Sequence, residues 1–189
     1  TTGTGSIQFD QTGGGPLTVT TATTTDGAIT LTNAGGDLTV GTAVTAGGTG
    51  RNLTLTTTTA GTSGSVILTG STTAAGDQVQ INSVGAINGG GLVTAATVDL
   101  NAASGIGNST ALNLAAGTIT ADSTNGNLDI NNALGSAVTA TTLTTGSGSI
   151  QFDQSGGGAL TVSTATTGSG GIVLTNTGAD LTVGSAATA

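Results

Sequence analysis

The chain has no cysteine, histidine, methionine, tryptophan, tyrosine, lysine or glutamate, and among 189 residues only one arginine, one proline and two phenylalanines. Without cysteine there is neither a disulfide framework nor a thiolate metal site, and cysteine usage gives no reading of the redox compartment. All nine acidic residues are aspartates, set against Arg51 alone, for a net charge of -8. Such a surface repels a phosphate backbone or an anionic bilayer, which argues against nucleic acid as a partner. No run of eighteen apolar residues exists, and the first residues carry neither a basic nor an apolar leader segment, so neither a membrane span nor a signal peptide is expected within this segment. Thr1 is not a natural start, and the sequence is expected to be a piece of a longer chain.

What is present is glycine, 35 residues of it, together with abundant Thr, Ala and Ser and a steady supply of Val, Ile and Leu, with charged residues at only 5%. Disorder couples low hydrophobicity to high charge, so this composition predicts a folded chain. The apolar residues come in pairs one position apart: Ile7 and Phe9, Leu17 and Val19, Ile29 and Leu31, Leu38 and Val40, Leu53 and Leu55. The series continues with Val66 and Leu68, Val79 and Ile81, Val98 and Leu100, Leu112 and Leu114, Leu128 and Ile130. Each pair flanks a small or polar residue, which is the alternation of a short strand with one buried face. Clusters such as GG, GS, NG and TG supply turns between them. No window repeats its apolar residues at helical spacing, so essentially no helix is expected.

The hexapeptide SIQFDQ occurs twice, at residues 6–11 and 149–154, and brings both phenylalanines with it. It belongs to a longer duplication: residues 1–46 match residues 144–189 at an offset of 143, at about three positions in four. Fixed-period self-similarity marks repeat architectures, and a sandwich has no reason to reproduce such a block. The prediction is a single continuous parallel β-solenoid over residues 1–189, with rungs of roughly 20 residues, about seven of which fill the offset. Ile7 to Ile29, Leu17 to Leu38 and Val98 to Ile119 show the rung spacing, which drifts around Leu53 to Ile87 and Leu134 to Leu143. Nine rungs stacked at about 4.8 Å would make a rod of roughly 40 Å. Phe9 and Phe152 are expected to point inward on equivalent rungs.

The stretch ATVDLNAASGIGNSTALNLAAGTITADSTNGNLDINNA, residues 96–133, resembles the repeats of filamentous-haemagglutinin-like bacterial exoproteins and adhesins. In these a Val-Asp-Leu strand precedes an Ala-Ser-Gly-Ile-Gly turn and a Leu-Asn-Leu strand. The resemblance implies a right-handed parallel β-helix, export across the outer membrane of a Gram-negative bacterium, an extracellular or cell-surface location, and a role as stalk, adhesin or fibre. The secretion domain that such proteins carry at the N-terminus is not visible in this sequence.

Chemistry-bearing residues are sparse. Asp77, Asp99 and Asp122 lie about one rung apart and could stack into a carboxylate column, but the cations and aromatic sugar platforms of polysaccharide-cleaving solenoids are missing, so no catalytic residue and no enzyme activity is expected. The same aspartates offer oxygen ligands for Ca²⁺, yet no calcium-binding nonapeptide repeat appears, and neither a metal nor a cofactor is expected. Thr-x-Thr triplets at 18–20, 30–32, 54–56 and 118–120 could order water on a flat face and bind ice, although any strand with Thr outward spells them, and the copy of Thr30 is Val173. Asn52 and Asn108 fit glycosylation triplets but read more simply as turn residues, and Arg51 as a solvated side chain. The expected function is structural, with neighbouring repeats or further copies as end-to-end partners. The alternative is a lateral face that binds a glycan or protein on a host or neighbouring cell.

Overall fold

The computed structural model describes residues 1–58 and 64–188 of the chain. Among these residues there is no helix, and sixteen strands form one sheet that coils as a β-solenoid of about 8 turns with rungs of about 22 residues. In the first half a five-residue strand alternates with a longer one, β1 (Ile7–Gln11), β2 (Leu17–Thr23), β3 (Ile29–Asn33), β4 (Leu38–Thr45) and β5 (Leu53–Thr57), and the three-residue β6 (Val66–Leu68) follows. Three long, bent strands carry the middle: β7 (Ser71–Ser83), β9 (Leu92–Ala102) and β10 (Leu112–Ser123), with β8 (Ile87–Asn88) between the first two. The alternation then resumes in β11 (Leu128–Asn132), β12 (Val138–Thr145), β13 (Ile150–Gln154), β14 (Leu160–Thr167), β15 (Ile172–Asn176) and β16 (Leu181–Thr188).

Every pairing is parallel and joins a strand to its neighbour one turn away, which satisfies backbone groups between turns. The apolar pairs legible in the sequence become columns. On the first ladder Leu31, Leu55, Ile81, Leu100, Ala121 and Leu143 stack in register. On the second, Leu38, Val66, Ile87, Ile106, Leu128 and Ile150 do so. All twelve are 2% exposed or less, and each branched side chain so buried is worth about 1.5–3 kcal/mol relative to exposure. Ile7 with Ile29, Leu17 with Leu38 and Val98 with Ile119 are register partners, as their spacing predicts. The drift near Leu53 has a local origin, a long connection between β5 and β6, of which residues 59–63 lie outside the described residues, as does residue 189 at the end of the duplicated block.

The duplication and the winding are out of phase. An offset of 143 residues divided by rungs of about 22 is about six and a half turns, not seven whole ones. Six turns above Ile7 on the first ladder stands Ala140, and Ile150, the copy of Ile7, comes half a turn later on the second ladder. The two SIQFDQ segments therefore occupy opposite ladders. Phe152 stacks between Ile130 and Leu174 and is fully buried. Phe9 stacks on Leu31 in the first turn and is 48% exposed, because among the described residues β1 is paired on one side alone.

Candidate functional site

The outward positions of the first ladder form two ranks that run from turn to turn. Thr30 and Thr32 sit in register with Thr54 and Thr56, and at the other end Thr142 and Thr144 align with Thr164 and Thr166. The Thr-x-Thr pattern thus stacks in two pairs of turns. The triplet at 18–20 lies on the other ladder beside Thr39, and Thr118 stands next to the register irregularity between β10 and β12. Between the threonine-bearing turns the same two ranks change character, to Gln80 and Asn82, Asp99 and Asn101, then Thr120 and Asp122. Gln80 donates to an Asp99 carboxylate oxygen at 3.0 Å, and Asn101 donates to Asn82 Oδ1 at 3.1 Å and to the other Asp99 oxygen at 3.2 Å. Beside this patch, where strands turn into loops, runs a groove of about 390 Å³ lined in part by Asn82, Asn101, Asp122, Val84 and Ala103.

The three aspartates whose spacing would allow a column do not stack. Asp99 faces Gln80 and Thr120, Asp122 faces Asn101, and Asp77 lies in the bulge of β7. There the Asp77 carboxylate accepts from the backbone N–H groups of Gly50 and Arg51 at 2.7 and 2.9 Å, stitching one turn to the next. Arg51 in turn donates its Nε–H to Asp26 at 2.7 Å, a half-exposed ion pair whose hydrogen bond and charge hold the guanidinium pKa above its ordinary value. The sequence reading of Arg51 as simply solvated missed this clamp. Its only signal is that residues 26, 51 and 77 are one rung apart at the same corner. Asn52 Oδ1 accepts from the backbone of Gln78 at 3.3 Å and Asn108 Oδ1 from that of Asn127 at 2.9 Å, so both asparagines serve the turns, as read.

Buried polar residues were not anticipated. Thr57, Ser83, Ser123, Thr145 and Thr167 end the first-ladder strands with hydroxyls turned inward, where they donate to turn carbonyls; Thr145, for example, reaches Gly126 and Ser147 at 2.7 Å each. Asn33 does the same for the carbonyls of Gly15, Gly36 and Asp37. On the second ladder Asn132 bridges the Ala116 carbonyl and the Gln154 side chain, both buried. Strand parity could have found them, since Asn33 continues the inward series Ile29, Leu31. A buried carbonyl without a donor is costly, and these side chains close the backbone account at the corners.

Asp129 faces outward on β11 with one carboxylate oxygen buried and unpartnered, and burial followed by repulsion from Asp153 raises its pKa. Among the described residues no three acidic, histidine or cysteine side chains converge as a metal site, and no helix is long and apolar enough to cross a membrane. The geometry is that of a β-helix repeat protein whose outward polar groups are shared among turns. Compared with protein-family models, curated proteins and solved structures, the chain matches none of them.

Proposed function

We propose that this chain is a structural segment of a filamentous-haemagglutinin-like secreted or cell-surface protein, acting as the stalk of an adhesin or as part of an extracellular fibre. The observation that supports this reading is that among the described residues turns are joined only to their neighbours, through a continuous core and parallel ladders, so adding turns adds length and leaves the cross-section unchanged. The residue economy agrees with it: interior columns of Val, Ile, Leu and Ala, and an outer face largely of threonine, which suits a pleated strand. In this reading neighbouring repeats, or further copies end to end, are the partners, and the location is the cell surface or beyond it.

The test is to delete one whole turn, residues 150–171, from the protein as its own cells make it, then to locate it by protease treatment of intact cells and to measure its projection by microscopy of labelled ends. A spacer stays on the surface, remains folded and shortens by about 4.8 Å per turn removed. Protection from external protease, or loss of a catalytic turnover on deleting a turn that leaves the fold intact, would overturn the proposal.

A further inference from the structure

We propose that the groove beside Asn82, Asn101 and Asp122 binds an uncharged saccharide chain. The argument starts from where the threonine face is broken. Five of the six outward positions in three consecutive turns, Gln80, Asn82, Asp99, Asn101 and Asp122, carry amides or carboxylates, although Asn and Asp are depleted in strands and threonine holds the equivalent places on either side. The cross-turn bonds from Gln80 to Asp99 and from Asn101 to Asn82 account for part of that exchange in a spacer, but not for all of it. Internal bonding leaves part of the set unused: among the described residues the Asp122 carboxylate, the Asn82 amide nitrogen and the Asn101 carbonyl oxygen make no hydrogen bond. Acceptors and donors thus stand together at the groove edge, which is what a hydroxyl, both donor and acceptor, requires.

The floor completes the match. The inward column that ends the strands in hydroxyls is interrupted by Ala102, and there the surface sinks to expose small apolar groups, Val84 and Ala103 among them. A narrow apolar strip next to a polar rank suits a sugar ring, which has a C–H face and a hydroxyl edge. A protein partner fits less well, because stable protein interfaces bury about 800 Å² per side around aromatic or arginine anchors, and this face carries neither. Charge narrows the class further: Asp122 lines the groove and Asp99 stands on the adjoining polar rank, with no cation beside them among the described residues, so uronate or sulfated chains are repelled.

The test titrates the chain with linear neutral tetrasaccharides of glucose, galactose, mannose and N-acetylglucosamine, and with a hexuronate tetrasaccharide, following the side-chain amide signals of Asn82 and Asn101 by NMR. At least one neutral chain is expected to shift those two amides, with the hexuronate at least tenfold weaker. Asn101→Thr, which installs the residue that flanking turns already carry, is expected to weaken binding tenfold or more, while Thr54→Ser does nothing. No shift with any neutral chain, shifts confined to residues elsewhere, equal binding of the hexuronate, or unchanged binding in Asn101→Thr would each overturn the assignment. The amide shifts are read on the unaltered protein, so the answer stands even if a variant misfolds. A negative result leaves the stalk proposal untouched.

Discussion

At the scale of single residues, position in the coil outweighs identity. Phe9 and Phe152 lie in the same hexapeptide, yet one is half exposed and the other fully buried, because burial depends on what stands in the next turn. Alternation made both inward-facing from sequence alone, but no sequence signal says which column each joins. Thr72 shows the converse. It is fully buried between Val44 and Val93, and its hydroxyl has no partner among the described residues. A buried hydroxyl without a hydrogen bond costs about 1–3 kcal/mol, and valine keeps the branched shape that the strand prefers. Thr72→Val is therefore expected to stabilise the protein by about 1 kcal/mol, read as a higher urea midpoint at unchanged slope. A lower midpoint would mean that the hydroxyl is satisfied in solution.

Elements were legible where the chain punctuates them. All ten of the apolar pairs from Ile7 and Phe9 to Leu128 and Ile130 lie on strands, since alternation and flanking glycines specify a short half-buried strand directly. The ends of the first limbs of the long strands were not, because their inward residues are Ala74, Ala95 and Ala116, too small to stand out from the surrounding Ala and Thr. The candidate groove was legible only as isolated aspartates; its polar rank needs the register between β7, β9 and β10, and the bulge at residues 75–77 hides that register from any fixed spacing. Stacking also sets the role of certain glycines. Gly89 has φ +123°, and a Cβ there would lie 2.1 Å from the Leu68 carbonyl oxygen in the turn before, whereas Gly50 has φ +71° and open space around it. Gly50→Ala is expected to cost the roughly 1–2 kcal/mol of a left-handed alanine. Gly89→Ala should cost clearly more, because the facing backbone must move; equal losses in chemical denaturation would show that the turns are not in contact there.

For the whole molecule the governing quantity is phase. A half-turn offset between the 143-residue repeat and the winding puts each copy of a surface feature on the side opposite its twin: the hydrogen-bonded pair Gln8 and Asp10 on one ladder, Gln151 and Asp153 on the other. A third copy at the same offset would return to the ladder of β1, so the true repeat of such an array is twice the sequence repeat. The two ladders differ in that, at each end, one carries five-residue strands and the other longer ones, β13 and β15 against β14 and β16. Deleting residues 150–171 joins Ser149 to Ile172, the register partner of Ile150, and removes one complete turn. That variant should fold cooperatively, with its denaturant slope lower by about one part in eight, because the slope follows the surface exposed on unfolding and about 8 turns share it. Deleting only residues 150–159 joins Ser149 to Leu160, which keeps the inward parity of Ile150 but brings β14 onto a five-residue ladder and mismatches every bend beyond it. The last turns should then lose hydrogen-exchange protection while the first five keep it. If the half-turn deletion were as well protected as the whole-turn one, the two ladders would be interchangeable and the phase would carry no structural information.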